Sequence, residues 1–284
     1  MLPYPIFTLF GNGVYMYGIC IAVGLICCIG AFYFLSKRNG MPTKVQDFVM
    51  ITLIAGLAVG FFAAQVFQAF YNWLDGKPFK IFGAGFTVMG GLIGGAGAFL
   101  LFYFLVGRIY FKGKNKGLHV KHFNTLFRVA PICIVIAHGL GRIGCLMSGC
   151  CHGTYLGQDF VFGGIWMNGT VNGVHKWGYY VPTQLYEAIF LLALGAFMTV
   201  LLYKRCNVLM SVYLICYGIW RIFIEFFRAD QRGAIVLGLA PSQWQSILFI
   251  AGGILLFIVY KLKKFPIFLP KTDEKKNDNE QELS

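Results

Sequence analysis

Seven long apolar stretches, separated by short polar segments, run along the chain. They lie near residues 14–36, 48–70, 84–106, 126–148, 183–203, 208–228 and 243–260. Each has about 20 residues, and an α-helix of that length, rising 1.5 Å per residue, crosses the hydrocarbon core of a bilayer. The pattern therefore predicts an all-α integral membrane protein with about seven transmembrane helices.

The polar positions predict how the remainder of the chain is organised. Residues 1–264 are predicted to form one polytopic membrane domain, and the polar residues 265–284, which show no periodicity, a disordered cytoplasmic tail. The longest loop, about 149–182, is rich in glycine and aromatic residues and contains no obvious helix. Loops of this length are more often functional than not.

Composition excludes the main classes of soluble protein. Of the 284 residues, 58% are hydrophobic and only 12% are charged, against roughly 25% in a soluble domain. A soluble enzyme, a nucleic-acid-binding module and a disordered protein are therefore excluded. The net charge of +13 comes from Lys and Arg concentrated in alternate loops and the tail. This distribution predicts an N-terminus outside the cell and a C-terminus in the cytoplasm.

Three charged residues interrupt the apolar stretches: Arg142, Arg221 and Glu225. Each would cost about 2.5–3.5 kcal/mol at mid-membrane without compensation, so all three are expected to face the protein interior. Arg221 and Glu225 are four residues apart and can pair on one helix face, which Arg228 continues. One interpretation is a structural ion pair together with an Arg that snorkels to the interface.

That interpretation leaves Arg142 without an acid in its own stretch. A second interior Arg favours an anionic ligand, and in a membrane we expect a phospholipid phosphate, which the planar guanidinium binds through several fixed donors. Both stretches end on the predicted outer side, which places the chemistry at the outer leaflet.

The segment 138–153 surrounds Arg142 with glycines and with thiol and imidazole side chains. The latter belong to Cys145, Cys150, Cys151 and His152. Adjacent cysteines rarely ligate the same ion, so we predict no metal site and no cofactor. A disulfide and a reactive thiolate activated by the nearby guanidinium both remain open.

Two further clusters are candidates for supporting roles. Gly90 and Gly91 lie in a glycine-rich stretch that favours either close helix packing or close approach of the backbone to a bound lipid. Gln184, Tyr186 and Glu187 lie at the start of the fifth stretch. Glu187 is placed to balance the Arg charges, whereas Tyr186 is also typical of an anchor at the membrane interface.

Several motifs occur in an order and spacing that resemble the prolipoprotein diacylglyceryl transferase family. They are Tyr17-Gly18, Gly90 to Gly95, Gly141 to Gly144, Pro182 to Glu187, Tyr217 to Arg228, and Gln243 to Ser246. The resemblance covers most of the chain. It implies a multi-pass bacterial plasma-membrane enzyme that moves the diacylglyceryl group of phosphatidylglycerol onto the lipobox Cys thiol of a prolipoprotein, releasing glycerol phosphate.

The resemblance also implies roles for individual residues. Arg142 would contact the lipid headgroup, Arg221 the phosphate, and Glu225 would hold Arg221 in place. The other expected lipid-binding residues are Tyr217, Gly90 and Gly91, and the expected supporting residues are Gln184, Tyr186, Glu187 and Arg228. The expected partners are phosphatidylglycerol, the prolipoprotein and membrane lipids, with no nucleic acid.

The chain departs from the family pattern where protons would be handled. Met89 replaces the usual His, Cys145 the usual Asn, and Ser148-Gly-Cys150 the usual Asn-Gly-Glu. The candidates for a substitute base are His138, His152 and the thiolates of Cys145 and Cys150. The alternatives are a related transferase with another acceptor, and a thiol redox or metal-handling protein that uses the cysteine cluster with His152.

Overall fold

The computed structural model describes residues 5–9, 12–74, 76–83, 85–171, 174–228 and 241–262. The helices in this part of the chain are α1 (Met16–Arg38), α2 (Thr43–Leu74), α3 (Val88–Tyr110), α4 (Leu118–Lys121), α5 (Phe123–Ser148), α6 (Thr183–Tyr203), α7 (Leu209–Glu225) and α8 (Pro241–Lys261). The single turn α4 follows a 3₁₀ turn, Gly113–Asn115. The other seven helices coincide with the seven apolar stretches, which confirms the prediction of a mostly helical membrane protein.

Within the described residues, six helices are long and apolar enough to cross a membrane: α1, α2, α3, α5, α6 and α8. α7 has 17 residues and ends at Glu225, before the predicted limit at 228. A total of seven spans and the outward N-terminus stay predictions, as does a single membrane domain over 1–264. The predicted tail, 265–284, lies outside the described residues.

Short strands supplement the helices before α1 and in the longest loop. β1 (Phe7–Leu9) and β2 (Asn12–Val14) form an antiparallel hairpin. The loop after α5 forms a three-stranded antiparallel sheet of β3 (Tyr155–Gly157), β5 (Val174–Tyr180) and β4 (Ile165–Val171), in that order. Its aromatic and β-branched residues favour strands. The absence of a helix from this loop was predicted from the sequence, whereas the sheet was not.

The sheet is attached to the end of α5 by a small hydrophobic core. Met167 of β4 and Tyr180 of β5 are fully buried and pack with Leu146 in the last turn of α5. The loop that follows α5 is therefore held in a fixed position, which matters for the cysteines it carries.

The chain divides into two compact units, one formed by residues 1–35 and 126–284, the other by residues 36–125. In the first unit, glycines bring α1 close to α5: a Cβ on Gly24 would lie 3.1 Å from Cβ of Leu140, and one on Gly144 would lie 3.1 Å from Cβ of Cys20. The same unit contains α6, α7 and α8, with α7 packed along α8.

In the second unit, α2 and α3 pack along each other through facing glycines. A Cβ on Gly60 would lie 2.8 Å from Cα of Gly95, and one on Gly90 would lie 2.6 Å from Cβ of Phe67. Gly91 faces Ala64 in the same interface. These contacts are typical of small-residue helix packing in membranes, and a lipid-binding role for Gly90 and Gly91 stays a prediction.

Gly60→Ala is expected to destabilise the protein, because the backbones of α2 and α3 would have to separate to admit the methyl group. Overpacking of this kind costs about 1–3 kcal/mol, measurable as a lower midpoint of thermal unfolding in detergent. Gly97→Ala is the matched control, because a Cβ at Gly97 of α3 meets nothing within 4 Å. Equal melting temperatures for the two variants would contradict the glycine-mediated contact.

Candidate active site

Glu187 on α6 is the centre of a buried polar cluster to which α5, α6 and α7 contribute. Its side chain is 0% exposed, and its Oε1 lies 3.0 Å from Nη2 of Arg142 on α5. The hydroxyl of Tyr217 on α7 donates to the same oxygen at 3.1 Å, and Nε2 of His138 lies 3.7 Å away. Glu187 is therefore the acid that Arg142 lacks within its own helix.

A second ion pair lies on α7. Nη2 of Arg221 is 2.9 Å from Oε2 of Glu225, as the four-residue spacing predicts. Arg228 does not continue this helical face, because α7 ends at Glu225 and the backbone of Arg228 instead pairs with Gly153. Arg221 still interacts electrostatically with Arg228 and with Glu187. The two ion pairs are therefore close enough to influence each other.

Arg142 and Arg221 each form an ion pair but also keep further guanidinium donors in the buried cluster. Nε of Arg142 and Nη1 of Arg221 are buried and have no hydrogen-bond partner among the described residues. Buried donors without partners are costly, so these two are suited to an anion that brings its own acceptors.

The cysteine cluster forms where α5 ends in a Schellman turn. Gly149 has a φ of +72°, and the amide of Cys150 donates to the carbonyl of Cys145 at 3.2 Å. This turn brings Cys150 back over Cys145. Cys151 also has a left-handed backbone, with φ of +63°, and the three Sγ atoms of Cys145, Cys150 and Cys151 lie within 4.8 Å of one another.

The start of α6 fixes the backbone of these cysteines. The side-chain amide of Gln184 donates to the backbone carbonyl of Cys150 at 2.6 Å. The hydroxyl of Thr183 donates to the backbone carbonyl of Cys151 at 2.9 Å. Because Glu187 follows on the same helix, the cysteine turn and the buried polar cluster are joined through one turn of α6.

The thiol of Cys150 is unsuited to act as a base near neutral pH. Its contact with the Cys145 thiol lowers the pKa, but the contact with the Cys151 thiol, together with burial, outweighs this effect and raises the pKa of Cys150 above its usual value. A raised pKa keeps the thiol protonated. A catalytic role for Cys145, and for Cys150 in any other capacity, stays a prediction.

His152 and Tyr186 have other surroundings. Nδ1 of His152 lies 2.9 Å from the carbonyl oxygen of Gly153, and its ring packs on Tyr180 of the sheet. The Tyr186 hydroxyl donates to the carbonyl of Gly163 at 3.0 Å. These contacts position the loop between α5 and α6. Catalysis by His152 and a supporting role for Tyr186 in the site stay predictions.

A cavity of about 590 Å³ opens beside the cysteine turn. It is lined by Gly13, Val14, Tyr15, Tyr17, Gly18, Ser148 and Cys150. The Tyr17 side chain interacts electrostatically with Arg142 and with all three clustered cysteines. Tyr17 therefore lies near both the thiols and Arg142, and the cavity gives access to Cys150.

Comparison with known proteins decides the family. A family model described as prolipoprotein diacylglyceryl transferase matches residues 5–259. The chain belongs to the prolipoprotein diacylglyceryl transferase family. A relative from Clostridium perfringens, named phosphatidylglycerol–prolipoprotein diacylglyceryl transferase 2, is 33% identical over 90% of this chain and 94% of its own length. A Staphylococcus aureus relative, named phosphatidylglycerol–prolipoprotein diacylglyceryl transferase, is 31% identical over 92% of this chain and 89% of its own length.

Membership of the prolipoprotein diacylglyceryl transferase family confirms the resemblance found in the sequence, and the match extends over nearly the whole chain. Together with the apolar helices, it identifies a multi-pass protein of the bacterial plasma membrane. The alternative of a thiol redox or metal-handling protein is not favoured, because the matching relatives are named as transferases.

The places of two residues in the site, His138 and Thr183, were not predicted from the sequence. His138 was only one of several possible bases, yet the structure places it beside Glu187 and the Tyr217 ring, 5.2 Å between ring centroids. Its spacing of four from Arg142 is the signal that would have joined them on one helix face. Thr183 was not considered, although Pro182 before it marks a helix start, where hydroxyl side chains commonly bind backbone groups.

Proposed function

We propose that this chain transfers the diacylglyceryl group of phosphatidylglycerol to the lipobox cysteine thiol of a prolipoprotein at the outer leaflet of the plasma membrane. The observation that carries the proposal is the pair of buried guanidinium groups, Arg142 and Arg221, which keep donors without partners among the described residues.

In the proposed reaction, the acceptor thiolate attacks the glyceryl carbon that is bonded to the phosphate oxygen. A C–S bond forms and the C–O bond breaks, so the bonding electron pair and a growing negative charge move onto the departing glycerol phosphate. Arg142 and Arg221 stabilise that charge where water is excluded. The thiolate of the acceptor peptide is itself the nucleophile, so no covalent enzyme intermediate is required.

We assign the removal of the thiol proton to His138. Its Nε2 is directed at Glu187, so the carboxylate orients the ring and Nδ1 keeps the lone pair that accepts the proton, which afterwards passes to solvent. A base oriented by a carboxylate is a common arrangement for activating a nucleophile. Met89, which stands at the position where the family usually has His, cannot accept a proton.

His138→Gln is expected to lower the transfer rate by about 10²–10⁴-fold at neutral pH, the usual contribution of a general base. The remaining rate should depend on acceptor thiolate formed in solution. It should therefore rise about tenfold per pH unit up to the ordinary Cys pKa of about 8.5, more steeply than for the unchanged protein. His175→Gln, at an exposed position of β5, is the control, and parallel pH profiles would contradict the assignment.

The activity itself is tested with purified protein in detergent, phosphatidylglycerol and a lipobox peptide. Release of glycerol phosphate that requires the peptide Cys, and that stops when this Cys is replaced by Ser, supports the proposed function. Release with a different thiol but not with the lipobox peptide would instead identify a related transferase with another acceptor. No release from folded protein with any thiol acceptor would overturn the proposal.

A further inference from the structure

The three clustered thiols are not needed by the proposed reaction, although they lie beside its site. The thiols belong to Cys145 at the end of α5 and to Cys150 and Cys151 in the turn that follows. Two left-handed residues on either side of Cys150, Gly149 and Cys151, shape the turn in which the three thiols converge. A non-glycine residue held in this region costs about 1–3 kcal/mol, so the convergence is maintained against local strain.

The separation of the sulfur atoms matches the ligands of one soft metal ion. Thiolates bind zinc at about 2.3 Å, and tetrahedral or trigonal placement at that distance separates the sulfurs by about 3.8–4.0 Å. The three Sγ atoms already lie within 4.8 Å of one another, so a shift of about 1 Å or less per side chain completes the geometry. The left-handed φ at Cys151 lets two adjacent cysteines bring their thiols to one point, together with Cys145.

The surroundings are those of a supported site rather than of a chance cluster. Gln184 and Thr183 hold the backbone carbonyls of Cys150 and Cys151, and the hydroxyl of Ser148 donates to Sγ of Cys150 at 3.2 Å. Such outer contacts orient the ligands of metal sites. The cavity lined by Ser148 and Cys150 gives an ion access from outside the helices.

We propose that Cys145, Cys150 and Cys151 bind one thiophilic ion, Cu(I) or Zn(II), as three thiolates. Cu(I) would be three-coordinate, whereas Zn(II) would take a water molecule as a fourth ligand. Binding releases three thiol protons to solvent, so the bound complex carries two net negative charges with Cu(I) and one with Zn(II). No electron transfer is involved.

The ion is expected to inhibit diacylglyceryl transfer, and this consequence rests on the proposed function. Arg142 interacts electrostatically with Cys145 and Cys151. An anionic metal–thiolate complex there would attract the Arg142 guanidinium and compete with the lipid phosphate for it. Thiophilic ions would thus act on the transferase through the turn that precedes α6.

Ion binding is tested on the 284-residue chain in detergent. The protein is first reduced and then freed of reductant under nitrogen. Cu(I) is titrated against a chromophoric Cu(I) chelator and Zn(II) against a zinc-binding dye. The proposal expects one ion per chain and X-ray absorption showing three sulfur atoms at about 2.3 Å. Cys150→Ser is expected to weaken binding at least 100-fold. A triple variant that keeps the cluster, Cys27→Ser with Cys206→Ser and Cys216→Ser, is expected to bind as tightly as the unchanged protein.

Absence of a stoichiometric ion would overturn the proposed site. Equal affinity of Cys150→Ser and the unchanged protein would also overturn it, because the ion would then be bound by other thiols, such as the Cys28–Cys133 pair. Transfer with and without the ion is then compared within each variant. If the ion inhibits transfer by the triple variant but not by Cys150→Ser, the proposed effect of the bound ion on Arg142 is supported. If the ion binds to the triple variant without inhibiting transfer, that effect is overturned. A protein that binds the ion but has no transferase activity would contradict the proposed function alone.

Discussion

Arg142→Ala is expected to lower glycerol phosphate release by about 10³-fold or more. Removing one donor to a developing oxyanion costs about 10²–10³ in rate, and the substitution also removes a positive charge and leaves Glu187 buried without its closest cation. Arg142→Lys keeps the charge but loses the planar fork, and an intermediate loss of about 10–100-fold is expected. The rate is measured with phosphatidylglycerol and a lipobox peptide in detergent.

Arg128→Lys is the matched control for these variants. Arg128 lies on the same helix, α5, and its guanidinium donates to the carbonyl oxygens of Cys206 and Leu202 at 3.2 and 3.5 Å, so its role is structural. It should affect stability without changing the rate of the folded protein. Full activity in a folded Arg142→Ala protein would remove Arg142 from the reaction.

Glu187→Ala is expected to have the largest effect on stability. The carboxylate is fully buried and lies close to Arg142, His138 and the Tyr217 hydroxyl. Breaking a buried ion pair from one side costs about 3–5 kcal/mol because the remaining charge is uncompensated. Activity should fall with it, since both the proposed base and one phosphate ligand lose their orientation. Thermal unfolding in detergent and the transfer rate are measured on the same preparations.

The double variant Arg142→Ala with Glu187→Ala measures how much the interaction between the two side chains contributes to stability. Because no unpaired charge remains, it should be less destabilised than the sum of the two single variants. Asp159→Ala, at an exposed position of the same unit, is the control and should leave stability and rate unchanged. Strictly additive losses would mean that Arg142 and Glu187 do not stabilise each other.

The helices of this protein could be predicted from the sequence because membrane segments leave a long, uniform signal. The limits of the fifth apolar stretch, 183–203, agree with those of α6. The Arg221–Glu225 pair was equally predictable, since a four-residue spacing on one helix fixes the distance. In both cases local geometry alone determines the outcome.

The contacts that join separate helices could not be predicted in the same way. Glu187 was a candidate partner for the arginines, but its pairing with Arg142 depends on how α5 and α6 approach each other. The three-stranded sheet was overlooked because its strands are short and interrupted by glycines. The convergence of Cys150 and Cys151 depends on the backbone angle of one residue, for which residue spacing gives no signal.

The two units also set an order in which the protein can be assembled during its synthesis. The unit that holds the site begins with α1, but its partner α5 follows only after about 90 residues that form the other unit. At 5–20 residues per second, α1 remains for roughly 5–20 s in the bilayer without its partner. The helix pair α2 and α3, adjacent in sequence, can associate during that interval. Arg142 precedes both Glu187 and Arg221 in the chain, so the buried polar cluster can be completed only when α7 has been inserted.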